Sequence, residues 1–331
     1  MLRRTFVAVV AISLLTLPAS VATGQPAKLP RIGYVSPAAS FAATPALRAF
    51  LDQLRYNGYV EGRDFVIEFR STGGRQERFA DLSAELSRLP VDVLLVGVCG
   101  EPLDAARRAT KTIPIVVGAC NDDLVETGIV HSLNRPGGNI TGLSKLTPEL
   151  AAKRLELLKQ TIPTILTVAV LWDPAYSDFK ADWRELRGAA SKLGITLHPV
   201  EFRAADQLQA AFAEIDKAHV DALITFSDQT TYIYAKRVAE LTAITRVPAM
   251  FAFSEVPDAG GLMSYGPNIP DMFRQAAVYV IKILQGTKPA DLPIQQAEKF
   301  DLVVNLKTAK ELGIRIPQSV LLRADRVIQG D

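Results

Sequence analysis

The chain has 331 residues, of which 48% are apolar and 22% are charged, and its formal net charge is +2. The apolar fraction excludes a disordered chain, and the small charge excludes a dedicated nucleic-acid binder, because phosphate contacts require a surplus of basic residues. The two cysteines exclude a disulfide-rich scaffold and a multi-cysteine metal site. At about 150 residues per domain, the length predicts two domains.

Residues 1–24 have the pattern of a secretory signal peptide. Arg3 and Arg4 form a basic start, an apolar run of about 12 residues follows, and small residues suited to signal peptidase close the segment. A membrane anchor is the alternative, but a spanning helix needs about 20 apolar residues. The pattern predicts cleavage and a periplasmic protein, by the general or the twin-arginine export route. The chain after residue 24 is formally neutral, with 35 basic and 35 acidic residues.

The first half of the remaining chain alternates short β-rich runs with amphipathic helical stretches. This alternation is typical of parallel sheets with right-handed helical crossovers. Strands are predicted over 31–36, 64–70, 91–98 and 113–119, and helices over 44–57, 75–89 and 102–110.

The same order recurs from residue 167. The run VDVL at 91–94 is echoed by VDAL at 220–223, and Ile-Pro at 113–114 by Val-Pro at 247–248. These echoes predict two doubly wound α/β lobes with parallel sheets in one chain, and chance alternation is the alternative. Strands are predicted over 167–172, 195–202, 220–226 and 247–253, with helices between them.

Polar side chains follow several of the predicted strands. In open parallel sheets, ligands bind beyond the carboxyl ends of the strands. If the two lobes face each other, these ends line one cleft, and such clefts are favoured sites for small ligands. The strand ends pair across the lobes as Ser36 with Asp173, 99–101 with 227–229, and 120–123 with 254–255.

The sequence lacks the common catalytic motifs. It has no Gly-x-Ser-x-Gly elbow, no phosphate-binding glycine loop and no His-Glu-x-x-His. The three histidines, at 131, 198 and 219, fall away from the predicted strand ends and are interpreted as structural or surface residues. A carboxylate pair such as Asp228 with Glu255 is the remaining candidate for acid–base chemistry. The pattern favours a binding protein over an enzyme and predicts no cofactor and no metal.

Cys99 and Cys120 end two strands that are neighbours in the usual sheet order. Adjacent strands lie about 5 Å apart, which suits the Cα separation of a disulfide, and an exported compartment permits the bond. Two separate buried thiols are the alternative, and a metal site from these two residues is less favoured. The residues leave the first two interpretations open.

Five longer runs of the sequence are specific enough to compare with known families: GYVEG at 58–62, SLNRPGGNITG at 132–142, AAKRLELL at 151–158, GGLMSYG at 260–266 and GTKPADLP at 286–293. Together they resemble the periplasmic substrate-binding proteins of ABC transporters with the type I fold, in the subgroup that includes tryptophan-binding members. The resemblance covers nearly the whole chain after the signal. It implies two lobes, three hinge crossings, ligand capture in the cleft and delivery to permease subunits in the membrane.

This resemblance also implies a division of the chain and a set of partners. The protein is expected to be a monomer that binds a small molecule and no nucleic acid. A binding protein that presents its ligand to a membrane sensor is one alternative, and an exported enzyme with a cleft active site is another. The first lobe is expected over 28–145 and 258–288, with a returning strand at 262–266, and the second lobe over 146–257 and 289–331.

One turn departs from the family's pattern. Members usually carry a small Gly-Ser/Thr-Pro turn that can bind a carboxylate at a helix start, whereas this chain has Gly100-Glu101-Pro102. A glutamate at this position repels a ligand carboxylate. Together with the other strand-end acids, it favours a ligand with a positive or hydrogen-bond-donating group, such as an amine or a polyol. The alternative is that about half of these carboxylates cap helices or form ion pairs outside the pocket.

Aromatic residues near the strand ends are suited to stacking on a flat or cationic ligand. They are Trp172, Tyr176, Tyr232, Phe253 and Tyr265. The residues predicted to bind ligand are Ser36, Glu101, Pro102, Asp122, Asp123, Asp173, Tyr176, Asp228, Glu255 and Tyr265.

Overall fold

A computed structural model describes residues 28–37, 40–145, 148–174 and 179–330. The predicted signal peptide at 1–24 lies outside the described residues. Within the described ranges, no helix is both long and apolar enough to cross a membrane.

The described chain contains 13 strands and 11 α-helices. Each of the eight strands predicted before residue 255 is present, with its ends shifted by two residues at most. The strands are β1 (Arg31–Ser36), β2 (Val66–Ser71), β3 (Val93–Val98), β4 (Ile115–Cys120), β5 (Ile140–Ser144), β6 (Thr167–Trp172), β7 (Thr196–Glu201), β8 (Ala222–Thr225), β9 (Ala249–Phe251), β10 (Met263–Pro267), β11 (Gln295–Gln296), β12 (Phe300–Asn305) and β13 (Arg326–Ile328). The helices are α1 (Pro45–Tyr56), α2 (Arg78–Arg88), α3 (Glu101–Ala109), α4 (Glu149–Thr161), α5 (Phe179–Leu193), α6 (Leu208–Lys217), α7 (Gln229–Ile233), α8 (Ala235–Thr245), α9 (Ile269–Leu284), α10 (Leu306–Leu312) and α11 (Gln318–Leu321).

The strands form two sheets with the same internal order. The first runs β11-β5-β4-β3-β1-β2 and the second β13-β12-β10-β9-β8-β6-β7. Five parallel strands of each sheet therefore correspond, from β2-β1-β3-β4-β5 to β7-β6-β8-β9-β10. Helices α1 and α9 cover one face of the first sheet, and α2 and α3 cover the other. Helices α4 and α5 and then α6 and α8 do the same for the second. The two doubly wound lobes predicted from the sequence are confirmed.

The two echoed motifs make the same hydrogen bonds in both lobes. The Asp92 carboxylate accepts from the Arg31 N–H at 2.7 Å, and the Asp221 carboxylate accepts from the Thr167 N–H at 2.8 Å. Each aspartate thereby satisfies the first N–H of its lobe's first strand. Likewise, the Pro114 carbonyl accepts from the Leu94 N–H, and the Pro248 carbonyl accepts from the Leu223 N–H, each at 2.8 Å. The duplication therefore extends to individual bonds.

Removing either aspartate is expected to destabilise its own lobe. Asp221→Ala should cost more than Asp92→Ala, because Asp221 also accepts from the Leu166 N–H at 2.7 Å. At about 1 kcal/mol for each hydrogen bond, the losses are about 2 and about 1 kcal/mol in the free energy of unfolding. Urea titration measures both losses, and Asp52→Ala, at an exposed position of α1, is the control. An Asp92→Ala variant that loses as much as Asp221→Ala would contradict the assignment.

The predicted lobe division is wrong in two places. The strand expected to return to the first lobe at 262–266 is β10, and it pairs in parallel with β9 and antiparallel with β12 in the second sheet. Of the segment 258–288, helix α9 is the part that packs in the first lobe. The close approach of β10 to the residues after β9 requires a glycine, since a Cβ on Gly266 would lie 1.9 Å from the Ala252 carbonyl oxygen. The segment 289–296 belongs with the first lobe rather than the second, because β11 pairs with β5.

Within the described ranges, the chain passes between the sheets three times, as the family resemblance implies. The passages lie between β5 and α4, between β10 and α9, and between β11 and β12. The second and third are tied together, because Asn268 donates to Asp301 and Asp271 pairs with Lys299, each at 2.8 Å. Partial burial raises the pKa of Asp271, but the hydrogen bonds from Lys299 and Gln275 outweigh it and hold this pKa below its usual value.

Candidate ligand-binding site

Side chains from both lobes meet around Lys145, the residue that follows β5 at the first passage. Its backbone N–H donates to the carbonyl of Cys120 at the end of β4, with an N–O distance of 2.6 Å. Its ammonium nitrogen lies 4.9 Å from the ring centroid of Phe253, just after β9 in the second lobe. Only 8% of Lys145 is exposed. This lysine therefore contacts both lobes at the carboxyl ends of their strands.

Three carboxylates act electrostatically on the Lys145 ammonium. Burial lowers the pKa of Lys145 to about 8, while Asp228, Glu255 and Asp122 act in the opposite direction and favour its charged form. Asp122 comes from the first lobe, and the other two come from the second. The buried guanidinium of Arg154 adds a smaller effect that lowers the lysine pKa further. The site is therefore a mixed-charge cluster with an excess of acidic groups.

Asp228 and Asp173 are linked to each other at the ends of β8 and β6. The Asp228 carboxylate accepts from the Thr231 N–H at 2.6 Å, which caps α7, and from the Asp173 N–H at 3.4 Å. The Thr230 hydroxyl donates to the Asp173 carboxylate. Burial raises the pKa of Asp228 to about 7, although the bonds from Thr231 and Asp173 oppose the rise. This carboxyl therefore titrates near neutral pH.

Two polar atoms near these strand ends are buried without a partner. Neither the Glu255 Oε2 nor the Ser227 Oγ has a hydrogen bond to any described residue. Burial raises the pKa of Glu255, while Lys145 lowers it by a smaller amount. A buried polar atom without a partner costs free energy, so both atoms favour a ligand that supplies hydrogen-bond donors.

Aromatic rings from both lobes border the charged cluster. The rings of Phe253 and Tyr232 pack edge to face, with their centroids 4.9 Å apart. Tyr34, on β1 in the first lobe, is buried and hydrogen-bonds with Ser36. Burial raises the pKa of Tyr34 to about 12, and Tyr232 of the second lobe contributes to this rise. The cleft thus offers flat apolar surfaces beside its charges.

The structure joins Cys99 and Cys120 in a disulfide between β3 and β4, with a Cα–Cα distance of 4.9 Å. A carboxylate oxygen of Asp122 and both sulfur atoms lie within 4.8 Å of one another. The bridge therefore anchors the end of β4, which leads into Asp122 and whose Cys120 carbonyl accepts from the Lys145 N–H.

Comparison with known proteins identifies the family of this chain. The model for ABC transporter substrate-binding proteins matches residues 40–328, which is most of the chain. The chain belongs to this family. The resemblance drawn from the sequence is confirmed, and the substrate-binding proteins of this family include relatives of known ligand.

Two relatives are named for an aromatic amino acid. The tyrosine-binding protein of Clostridioides difficile (strain R20291) is 23% identical over 270 residues, which cover 82% of this chain and 77% of that protein. An ABC domain of Streptococcus pneumonia, solved in complex with L-Trp, is 27% identical with a TM-score of 0.79, covering 91% of this chain and 100% of its own.

A conserved domain protein from Vibrio cholerae O1 biovar eltor has the same TM-score and coverage at 29% identity. The fold is therefore that of the type I periplasmic binding proteins.

Two residues predicted to bind ligand in this substrate-binding protein, Glu101 and Pro102, are the first two residues of α3. Glu101 pairs with Arg108 two turns along the same helix, with an N–O distance of 2.6 Å. Pro102 is buried against the core of the first lobe, where it lines a small internal space with Leu86 and Leu94. Glu101 therefore forms an ion pair within its own helix, which is the alternative that the sequence left open, and its contact with a ligand stays a prediction.

Two further predicted residues make local contacts, and a third lies outside the described residues. Asp123 turns back on its own loop and accepts from the N–H groups of Val125 and Glu126, at 2.9 Å each. The ring of Tyr265 packs against Phe300, with the centroids 6.3 Å apart. Tyr176 lies outside the described residues. The predicted carboxylates that act on Lys145 are Asp122, Asp228 and Glu255, and Asp173 is hydrogen-bonded to Asp228.

Sequence reasoning did not find Lys145 or Arg154, and it placed Ser227 at a strand end without assigning it to ligand binding. Arg154 is 1% exposed and donates to the Tyr265 carbonyl at 3.3 Å, so it also supports the strand at the second passage. One signal for Lys145 was present in the sequence. Lys145 directly follows the segment ITGLS at 140–144, at the predicted lobe boundary, so its backbone lies in one lobe and its side chain is within reach of the other.

Proposed function

We propose that this substrate-binding protein captures an aromatic α-amino acid, or a close analogue, between its lobes and delivers it to the permease of an ABC importer. The proposal rests on the interlobe cluster, in which Asp122, Asp228 and Glu255 act electrostatically on Lys145. The Lys145 ammonium lies against the ring of Phe253, which packs on the ring of Tyr232. An amino acid offers an ammonium, a carboxylate and an aromatic ring, each of which has a complement in this set. The Trp-bound and tyrosine-binding relatives support the same ligand class.

The ammonium of the ligand has the best-defined partners in the cluster. Glu255 Oε2 and Ser227 Oγ are buried acceptors without a protein donor among the described residues. A ligand ammonium supplies up to three N–H donors and a positive charge, so it satisfies both atoms and offsets the excess of acid. The rings of Phe253 and Tyr232 then provide a surface for the aromatic side chain of the ligand.

Calorimetric titration of protein freed of bound solute by unfolding and refolding tests the ligand class. L-Trp, L-Tyr and L-Phe should bind, and L-Ala, succinate and a linear polyol should bind far more weakly. Tight binding of the polyol or of succinate, with no response to the aromatic amino acids, would overturn the proposal. Succinate is the informative control, because its two carboxylates meet the acidic groups without bringing an ammonium.

Delivery and export need separate tests. Uptake of the labelled amino acid by vesicles that contain the partner permease and ATPase should depend on added binding protein. The exported protein should begin near residue 25, as intact mass after purification from the periplasm would show. Vesicles that transport equally well without the protein would contradict the role in import.

A further inference from the structure

We propose that Lys145 is the specificity-determining residue that binds the carboxylate of the ligand, so that the site selects zwitterions over the corresponding amines. The inference rests on the proposed function and assigns this part of recognition to the hinge. It concerns a residue that belongs to neither sheet, since Lys145 follows β5 where the chain leaves the first lobe.

The start of α3 is poorly suited to bind a ligand carboxylate. Helix α3 begins at Glu101, whose carboxylate pairs with Arg108 at 2.6 Å. A ligand carboxylate at this helix start would have to compete with Glu101 for the Arg108 guanidinium. The ligand carboxylate therefore needs a cation elsewhere in the cleft.

Two buried cations lie near the strand ends, and they differ in what they contact. Arg154 donates to the Tyr265 carbonyl and so supports the backbone of β10. Lys145 instead places its ammonium 4.9 Å from the Phe253 ring centroid, within the field of Asp122, Asp228 and Glu255. Its nitrogen thus lies beside the Phe253 ring and within the field of Glu255, whose Oε2 has no partner among the described residues.

The balance of charge predicts which ligands depend on Lys145. Without the lysine, the acidic groups still attract an ammonium but repel a carboxylate. A zwitterion therefore loses an ion pair and gains a repulsion, whereas an amine that lacks the carboxylate loses nothing and gains from the larger excess of acid. Lys145 therefore selects ligands that carry a carboxylate as well as an ammonium, and it does not strengthen the binding of amines.

The test compares L-Trp with tryptamine, which has the same ring and ammonium but no carboxylate. In Lys145→Gln, L-Trp should bind about 30-fold more weakly, the loss expected for a charge-assisted hydrogen bond. Tryptamine should bind as tightly as to the wild type or more tightly. Lys153→Gln, an exposed residue of α4 that pairs with Glu156, is the matched control and should change neither affinity. Lys145→Arg, which keeps the charge, should restore part of the L-Trp affinity.

The outcomes separate the inference from the function on which it rests. Equal loss of L-Trp and tryptamine in Lys145→Gln would overturn the inference, because the lysine would then act as a structural counter-ion of Asp228 and Glu255, while the proposed function would stand. Binding of tryptamine by the variant also reports that its cleft is folded. If the wild-type protein binds neither compound nor any aromatic amino acid, both the inference and the proposed function fall.

Discussion

Replacing both Cys99 and Cys120 with alanine is expected to lower the free energy of unfolding by about 3 kcal/mol. The bridge closes a loop with a sequence separation of 21 residues, and the chain-entropy estimate for such a loop has this size. Both cysteines are buried at the ends of paired strands, so the native state already holds them together. Urea titration of the double variant, and of the wild type with and without reductant, measures the effect.

The same change should weaken ligand binding by about tenfold. The Cys120 carbonyl accepts from the Lys145 N–H at 2.6 Å, and the Asp122 carboxylate lies beside the bridge. Loosening this segment misplaces two charged groups of the site, and a small displacement of positioned groups is costly. The double variant serves as the control for the reductant, which should not affect it. A wild-type unfolding midpoint that reductant leaves unchanged would show that the bridge contributes nothing to stability.

The sheets were predictable because their physical signature is local. A parallel strand covered on both faces has a nearly continuous apolar run, so β3, β4 and β8 stand out in the sequence. The echoed motifs added that the chain forms two such lobes. The echoed aspartates, Asp92 and Asp221, mark equivalent positions because each serves the same N–H at the start of its lobe's first strand.

The lobe division was predictable only in part because an apolar strand fits either sheet. The residues of β10 do not specify whether it pairs with β9 in the second sheet or crosses to the first lobe. That choice depends on the close approach of Gly266 to Ala252 and on the antiparallel pairing with β12, which are tertiary contacts. The short β11, with two residues, carries no periodic signal at all.

The candidate site was predictable where a strand end fixes the position of a residue. Asp122, Asp173, Asp228 and Glu255 lie within four residues of a strand end. Three of them act on Lys145, and Asp173 is hydrogen-bonded to Asp228. Glu101 also follows a strand, but Arg108 lies near enough along α3 to take its carboxylate. Lys145 is one of 37 basic residues, and what distinguishes it is burial at a passage between lobes, which only the folded chain shows.

Glu255→Gln is expected to weaken binding of an ammonium-bearing ligand by about 100-fold. Glutamine has the shape of glutamate but no charge, and the loss of a charge-assisted hydrogen bond at a buried site has this size. The Glu255 Oε2 has no partner among the described residues, so no protein donor replaces the lost interaction. Glu126→Gln, an exposed residue of the loop after β4, is the matched control and should bind like the wild type.

The pH dependence of binding tests the same residue by a second route. Burial raises the pKa of Glu255, so the folded protein binds more protons than the unfolded chain. Its contribution to stability is therefore complete below the ordinary carboxyl pKa and is lost as the pH rises through the raised value. A ligand ammonium prefers the ionised carboxylate, so wild-type affinity should rise through the same range, with release of a proton.

Other groups of the cluster titrate nearby, and the variant separates them. Burial raises the pKa of Asp228 to about 7 and lowers that of Lys145 to about 8, so both add proton linkage. Because Glu255 also favours the charged form of Lys145, the Glu255→Gln change is repeated in a Lys145→Gln background, where the difference isolates Glu255. Calorimetry between pH 5 and pH 8, in two buffers of different ionisation enthalpy, should show fewer protons released by the variant. Equal affinity and equal proton release in both proteins would place the ligand ammonium away from Glu255 and leave Asp228 as its partner.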